Sequence, residues 1–306
     1  MTVSNTDRKD IYSRVTDKII ADLEKGQRTW FPRWQGQHAA GPVSRPLRQN
    51  RTPYRGMNIL LLWTESMEKG FVSPIWMTYK QAHELGANVR KGEKGSLVVY
   101  ANTLSKTETN EDGEDIEHKI PFMRGYTVFN AEQVEGLPVH YYAQPVNPLP
   151  VEQRMEVADR FIKATGAEIR HGGNRAYYAP SEDFIQMPNF ESFHDKEGYY
   201  ATVLHELVHL SGAKQRLDRN FGKSKFGNEA YAREELVAEL GAAFLCADLG
   251  ITPEVREDHA AYLDSWLKIL KDDKRAIFSA AAHAQRAADY LSGLHQAKEE
   301  EQERAA

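Results

Sequence analysis

Apolar residues recur at every fourth position at Ile11, Val15, Ile19 and Leu23, the period of an amphipathic helix, and Gly26 ends the run. A turn-rich segment from Trp30 to Gly56 follows, and NILLLWTESMEKG then reads as an apolar helix that places Trp63 in a core. TYKQAHELG predicts a third helix, because Thr78 and Gln81 stand at capping-box spacing and Gly86 is a natural C-terminal stop. NVRKGEKGSLVVYANTL is a basic glycine loop running into a strand. The acidic turn TNEDGED leads back through PFMRGYTVFN, and together they form a hairpin with Asp112-Gly113 near its tip.

The pattern changes at GLPVHYYAQPVNPLP, which is proline-rich and uncharged and reads as a linker. The chain therefore divides into a domain over 1–135, a linker over 136–150, a second domain over 151–298 and a polar, fraying tail over 299–306. In the second domain, a helix over 151–165 precedes short strands at AEIR, RAYYAP and DFIQMP. Helices follow over 196–211, 229–249, 253–271 and 273–297. The fold class is α+β in two domains, the second rich in helix with a small sheet.

At 306 residues and 41% hydrophobic content, the chain can bury two cores without disulfide staples. Its one cysteine, Cys246, excludes a disulfide framework within the chain and suits a reducing compartment. No apolar stretch approaches the roughly 18–20 residues that span a bilayer, and the N-terminus has no apolar export segment, so a cytoplasmic location away from membrane is expected. The net charge of −5 conceals an asymmetry: residues 1–135 carry +2, the remainder −7, and residues 25–94 alone +8. Such a division suits one half to a polyanion and the other to a different task.

The different task is written in ATVLHELVHLSG. On a helix, His205 and His209 share one face and can offer both imidazoles to one ion, while Glu206 points to the adjacent sector. Zinc held by two histidines and a carboxylate keeps a position open for water, and Glu206 is placed to take that water's proton as general base. The uncharged flanks Val203, Leu204, Leu207, Val208 and Leu210 suit a buried metal helix. A third ligand is best sought in YAREELVAELGAAFL, where Glu235 and Glu239 share a face and Ala238, Gly241 and Ala242 permit close helix approach. By resemblance to the glutamate-zincin pattern E-x-x-A-[D/N/E], Glu235 is the ligand and Glu239 steadies a ligand histidine, with Glu234 as the alternative ligand. Arg216 or Arg219, in the segment between, could touch a substrate carbonyl or pair with acids, and the second is expected.

In the basic segment, cations interleave with large aromatics: Trp30, Arg33, Trp34, then Arg45, Arg48, Arg51, Tyr54, Arg55, then Tyr79, Lys80, then Arg90, Lys91, Lys94. Single-stranded nucleic acid is bound by tracking its phosphates and stacking its bases, which this interleaving supplies. No zinc-finger spacing, RNP-like string or basic zipper points to a sequence-specific reader.

The segments YSRVTDKIIADLEKGQRTWFPRW, PLRQNRTPYRGMNILLLW, SPIWMTYKQAHELGANVRKGEKGSLVVY and YTVFNAEQVEGLP resemble the N-terminal domain of ArdC-type antirestriction proteins, a domain also found in plasmid TraC-type primases. HELVH, RLDR and EELVAELGAAFL resemble the zincin-like metallopeptidase domain that accompanies it. The resemblance covers residues 8–295. It implies a protein of a conjugative mobile element that binds single-stranded DNA and protects incoming DNA from host restriction, with a zinc-dependent, or other divalent-metal, peptidase domain. That domain would act on a DNA-bound protein or a restriction enzyme. Two competing readings are a general cytosolic metallopeptidase whose first half binds polypeptide, and a non-enzymatic DNA-protecting protein with structural zinc.

Overall fold

The computed structural model describes residues 5–26, 44–109, 115–142, 150–222, 228–251 and 260–305. The expected hairpin tip at Asp112-Gly113, residues 143–149 of the expected linker and the start of the helix expected over 253–271 lie outside the described residues.

The first half opens with α1 (Asn5–Glu24), which presents Ile11, Val15, Ile19 and Leu23 to the core; Gly26 follows at φ 73°. After β1 (Leu47–Arg48) comes α2 (Met57–Lys69), where Trp63 is buried. Short β2 (Ile75–Met77) leads to α3 (Tyr79–Glu84). The capping box of α3 is present, with the Gln81 N–H donating to Thr78 Oγ1 (3.2 Å) and the Thr78 N–H to Gln81 Oε1 (2.8 Å). Beyond β3 (Asn88–Val89), the long strands β4 (Ser96–Thr109) and β5 (Asp115–Asn130) form the expected hairpin, and β6 (Val134–Glu135) pairs back on β3. The main sheet has the order β1-β2-β5-β4, with β1 and β2 parallel and the other pairs antiparallel. The Asn58 side chain covers its β4 edge, donating to Val99 O (2.8 Å) and accepting from Val99 N (2.7 Å). The first part of the expected linker is not free chain: Tyr141 is buried beside Ile75 and Met77, and the Tyr142 hydroxyl donates to Val134 O (2.9 Å).

The second half comprises α4 (Val151–Ala164), a sheet of β7 (Glu168–His171), β8 (Tyr177–Ala179) and β9 (Phe184–Met187) in the order β7-β9-β8, and α5 (Lys196–Ser211). It is completed by α6 (Glu229–Leu249), α7 (Ala260–Asp272) and α8 (Ala276–Ala305). The polar tail expected over 299–306 continues α8 to Ala305: its residues are strong helix formers, and Lys298–Glu301 and Glu300–Arg304 pair along the surface. Helices α5 and α6 approach closely because Gly241 faces Val208; a Cβ there would lie 2.8 Å from Val208 Cγ2.

The two halves share one buried cluster, running from Ile11, Val15 and Leu60 through Phe244 to Ala284 and Leu291. Polar contacts fasten the seam: Arg45 donates to Asp248 (2.7 Å) and Gln285 (3.0 Å), the Gly56 N–H donates to Gln285 (3.0 Å), and Arg55 pairs with Asp289.

Candidate metal centre

Two well-capped helices carry the site. Helix α5 starts at Asp195, whose carboxylate accepts from the Gly198 N–H (2.7 Å), and α6 starts at Asn228, which accepts from the Tyr231 N–H (2.9 Å). One turn separates His205 from His209 on α5, so both imidazoles face α6, where Glu235 meets them. The two Nε2 atoms lie 3.1 Å apart, and each is 3.5 Å from a Glu235 oxygen. Two ligand atoms about 2.0–2.1 Å from a shared tetrahedral ion stand about 3.3–3.4 Å apart, so these spacings fit one small divalent ion. Among the described residues, His205, His209 and Glu235 are the group of metal-competent side chains that converges in this way. Glu206, 3% exposed, lies beside them on α5.

The electrostatics also suit a cation. Burial disfavours charge on His209, but Glu235, Glu234 and Glu206 outweigh it and raise the imidazole to about 9. Burial pushes Glu235 the other way, yet the two histidines and a hydrogen bond from Tyr231 hold it far below the usual carboxylate range. Three carboxylates thus face two imidazoles in a low-dielectric pocket.

A second layer fixes His209. Its Nδ1 faces Glu234 Oε1 (3.1 Å), so the adjacent acids Glu234 and Glu235 bracket one ring. Arg219, its side chain 1% exposed, donates to Glu234 through Nε (2.8 Å) and Nη2 (2.5 Å), and to Val208 O (2.7 Å). Gly212 makes room for it, since a Cβ there would sit 2.7 Å from Nη2. Glu234, the alternative ligand, has its carboxylate on the Nδ1 side of the His209 ring, bound to Arg219 and away from the paired Nε2 atoms. Glu239, expected to steady a ligand histidine, is buried one turn beyond Glu235 on α6. Sequence reading also passed over Tyr231, which stands one turn before Glu235 on α6; that spacing was the available signal. Arg216 pairs with Asp183 through both terminal nitrogens (2.8 and 2.9 Å), an acid–base clamp as expected.

The expected polyanion surface is only partly assembled. Trp30, Arg33 and Trp34 lie outside the described residues. Arg45 is removed from it: 7% exposed, it sits over the Phe244 ring (5.0 Å) and pairs with Asp248, because the seam between the halves needs a cation there. Tyr54 is removed too, buried with Leu62 and Trp76 beneath Arg48, whose guanidinium lies 5.4 Å from its ring. Arg48, Arg51, Arg55, Tyr79, Lys80, Arg90, Lys91 and Lys94 are exposed. Of these, Arg55 is engaged by Asp289, Lys80 by Glu84 and Arg90 by Glu93.

Residues 156–283 match the model of a zincin-like metallopeptidase family, and residues 9–129 match the N-terminal domain of anti-restriction factor ArdC. An uncharacterized protein, y4eC, of Sinorhizobium fredii (strain NBRC 101917 / NGR234) is 46% identical over 288 residues, covering 92% of this chain and 91% of that one. A DNA primase TraC of Escherichia coli is 36% identical over 317 residues, covering 96% of this chain but 28% of the primase. The crystal structure of the antirestriction ArdC protein from the R388 plasmid in its metal-free form superposes with a TM-score of 0.78 at 46% identity, covering 94% of this chain and 98% of that one. Its Mn(II)-bound form gives 0.76 at the same identity, covering 93% and 97%. With both domains matched in order and the likeness extending over nearly the whole length, the chain belongs to the ArdC antirestriction family, an N-terminal ArdC domain joined to a zincin-like metallopeptidase domain.

Proposed function

We propose that this chain is a single-stranded DNA-binding antirestriction protein of a mobile element, which protects incoming DNA through a metal-dependent peptidase centre acting on a DNA-bound protein such as a restriction enzyme. The observation that carries the reading is the convergence of His205, His209 and Glu235 at 3.1–3.5 Å beside the buried Glu206. His205, His209 and Glu235 hold the ion, which is Zn2+ or another divalent metal. When bound, the ion supplies Lewis acidity toward water and a substrate carbonyl. Glu206 accepts a proton from the water that adds to the scissile carbonyl carbon, and returns it to the departing amine as the C–N bond breaks. Arg219 and Glu234 hold the His209 ring in orientation, and the apolar walls from α5 and α6 exclude bulk water.

Antirestriction and hydrolysis are separated by Glu206→Gln, assayed for metal binding and for survival of unmodified plasmid DNA entering a restricting host. The expected result is metal retained, with hydrolysis and protection both lost. Protection at the wild-type level with metal bound would assign the ion a structural role and refute the enzymatic reading. No helix among the described residues is long and apolar enough to cross a membrane.

A further inference from the structure

The cations Arg48, Lys91 and Lys94 offer charge to a nucleic acid, but with Tyr54 buried the described part of the expected surface has little to stack a base on. The structure supplies such a face elsewhere. We propose that the outward face of the β4–β5 hairpin is a base-stacking platform for single-stranded nucleic acid, with Tyr126, Tyr100 and Phe122 as the rings and Arg124 as the cation beside them. The proposal rests on the single-stranded DNA reading above and assigns it a place.

The strand register brings these residues together. Cross-strand partners share a face, and the pairs Val98↔Tyr126, Tyr100↔Arg124 and Asn102↔Phe122 alternate with Leu97↔Thr127, Val99↔Gly125 and Ala101↔Met123 on the other. The second face is occupied: Val99 and Met123 are buried in the main core, and a Cβ on Gly125 would stand 2.9 Å from Leu97 Cδ1 and 3.6 Å from Ile11 Cδ1. Asn58 fixes the backbone of β4 at Val99. The second face at the hairpin root is therefore seated on α1, and the aromatic face lies opposite, with α2 reaching it at its root through Leu62.

On that face Val98 and Val128 are covered by Trp76 and Leu62, and beyond them Tyr100, Asn102, Arg124 and Tyr126 are exposed. Tyr126 and Tyr100 are 44% and 46% exposed. Their centroids lie 6.4 Å apart with planes at 75°, and Tyr100 and Phe122 are 6.0 Å apart at 56°. A tilted row leaves ring faces uncovered, where a parallel stack would hide them. Asn102 donates to the Tyr100 hydroxyl (2.7 Å) and steadies that ring. The Arg124 guanidinium lies 5.6 Å from the Phe122 centroid. Lys91 and Lys94 stand on the loop that enters β4 at the hairpin root. A row of rings, Tyr100 and Tyr126 exposed and Phe122 half-buried, with Arg124 among them and two lysines at the root, recognises a chain of flat, negatively linked groups; a purely apolar partner would leave Arg124 and both lysines without a counter-charge. Glu108, Asp115 and Glu117 stand at the far end of the described pairing of β4 and β5 and limit the track to the proximal half of the hairpin.

The test is fluorescence anisotropy of the full chain with labelled oligothymidylate across a salt series, for wild type, Tyr100→Ala/Tyr126→Ala, Tyr100→Phe/Tyr126→Phe and Arg124→Gln, each checked by thermal unfolding. Loss of each ring weakens binding about tenfold, the paired phenylalanine variant binds like wild type, and Arg124→Gln flattens the salt dependence by about one phosphate contact. If wild type binds and the folded alanine variant binds equally well, or if duplex binds as tightly as single strand, the platform is refuted while DNA binding stands. If wild type itself fails to bind the oligonucleotide, the DNA reading fails and takes the platform with it. Unchanged DNA affinity with lost restriction protection would assign the face to a protein partner and equally overturn the proposal.

Discussion

Replacing Arg219 by Gln should damage both the fold and the metal centre, by amounts that the structure lets one work out. The guanidinium is buried, donates twice to Glu234, and spans the α5 carbonyl of Val208 and the hydroxyl of Ser211. Its removal leaves the Glu234 carboxylate, held below its usual pKa chiefly by that guanidinium against the burial that would raise it, facing only His209. Breaking a buried pair from one side costs about 3–5 kcal/mol. At roughly 2–4 °C per kcal/mol, and less for a chain of this length, the metal-free protein should melt about 5–15 °C lower. The same change releases the His209 ring, and losing such an outer partner costs about 10–100-fold in metal affinity. The assay is calorimetric unfolding without metal, followed by titration with Zn2+ against a competing chelator. Arg216→Gln is the control: its hydrogen bonds go to half-exposed Asp183 and to Leu210 O rather than to Glu234, so its loss should leave metal affinity unchanged. An Arg219→Gln protein that melts within a degree of wild type and binds Zn2+ equally well would refute the clamp.

Three further outcomes follow from the packing. Gly241→Ala drives a methyl into Val208 and should cost about 1–3 kcal/mol by overpacking, with weaker metal binding because the two ligand helices are pushed apart; unfolding and chelator competition read both. Arg45→Met keeps the volume over Phe244 but leaves Asp248 without its cation, and should destabilise the chain by about 2 kcal/mol in denaturant unfolding while DNA affinity stays at wild type. Burial, with Arg286 and Arg219 nearby, lowers His283 to about 4, so the unfolded chain binds the extra proton first. The stability held above its unfolded pKa near 6.5 is lost as pH falls toward 4, and at pH 5 wild type should have lost about 1–2 kcal/mol more than His283→Asn, as followed by urea titration at each pH.

Much of this protein is legible in its letters because local rules are short-ranged. Helical period and glycine stops place α1. Thr78 and Gln81 announce the cap of α3, and four-residue spacing puts His205 and His209 on one face with Glu206 beside them. Small residues at 238, 241 and 242 anticipate the close approach of α6, which Gly241 makes against Val208.

What required tertiary structure is every assignment that depends on which neighbour a side chain meets. Glu234 and Glu235 are about 100° apart on a helical wheel, and only the arrival of α5 between them decides that Glu235 faces both Nε2 atoms while Glu234 takes Nδ1 of His209. Composition counts Arg45 and Arg48 alike, yet the seam between the halves buries the first and leaves the second in water. The rings of Tyr100, Phe122 and Tyr126 are scattered through an acidic stretch, and the hairpin register alone sets them in a row. Periodicity and capping act within a turn or a strand, so the sequence by itself determined the main helices, the long hairpin and the HExxH face; charge pairing, burial and the pairing of short strands act between elements distant in the chain, so only the folded structure decided which acids, cations and rings were left to do chemistry.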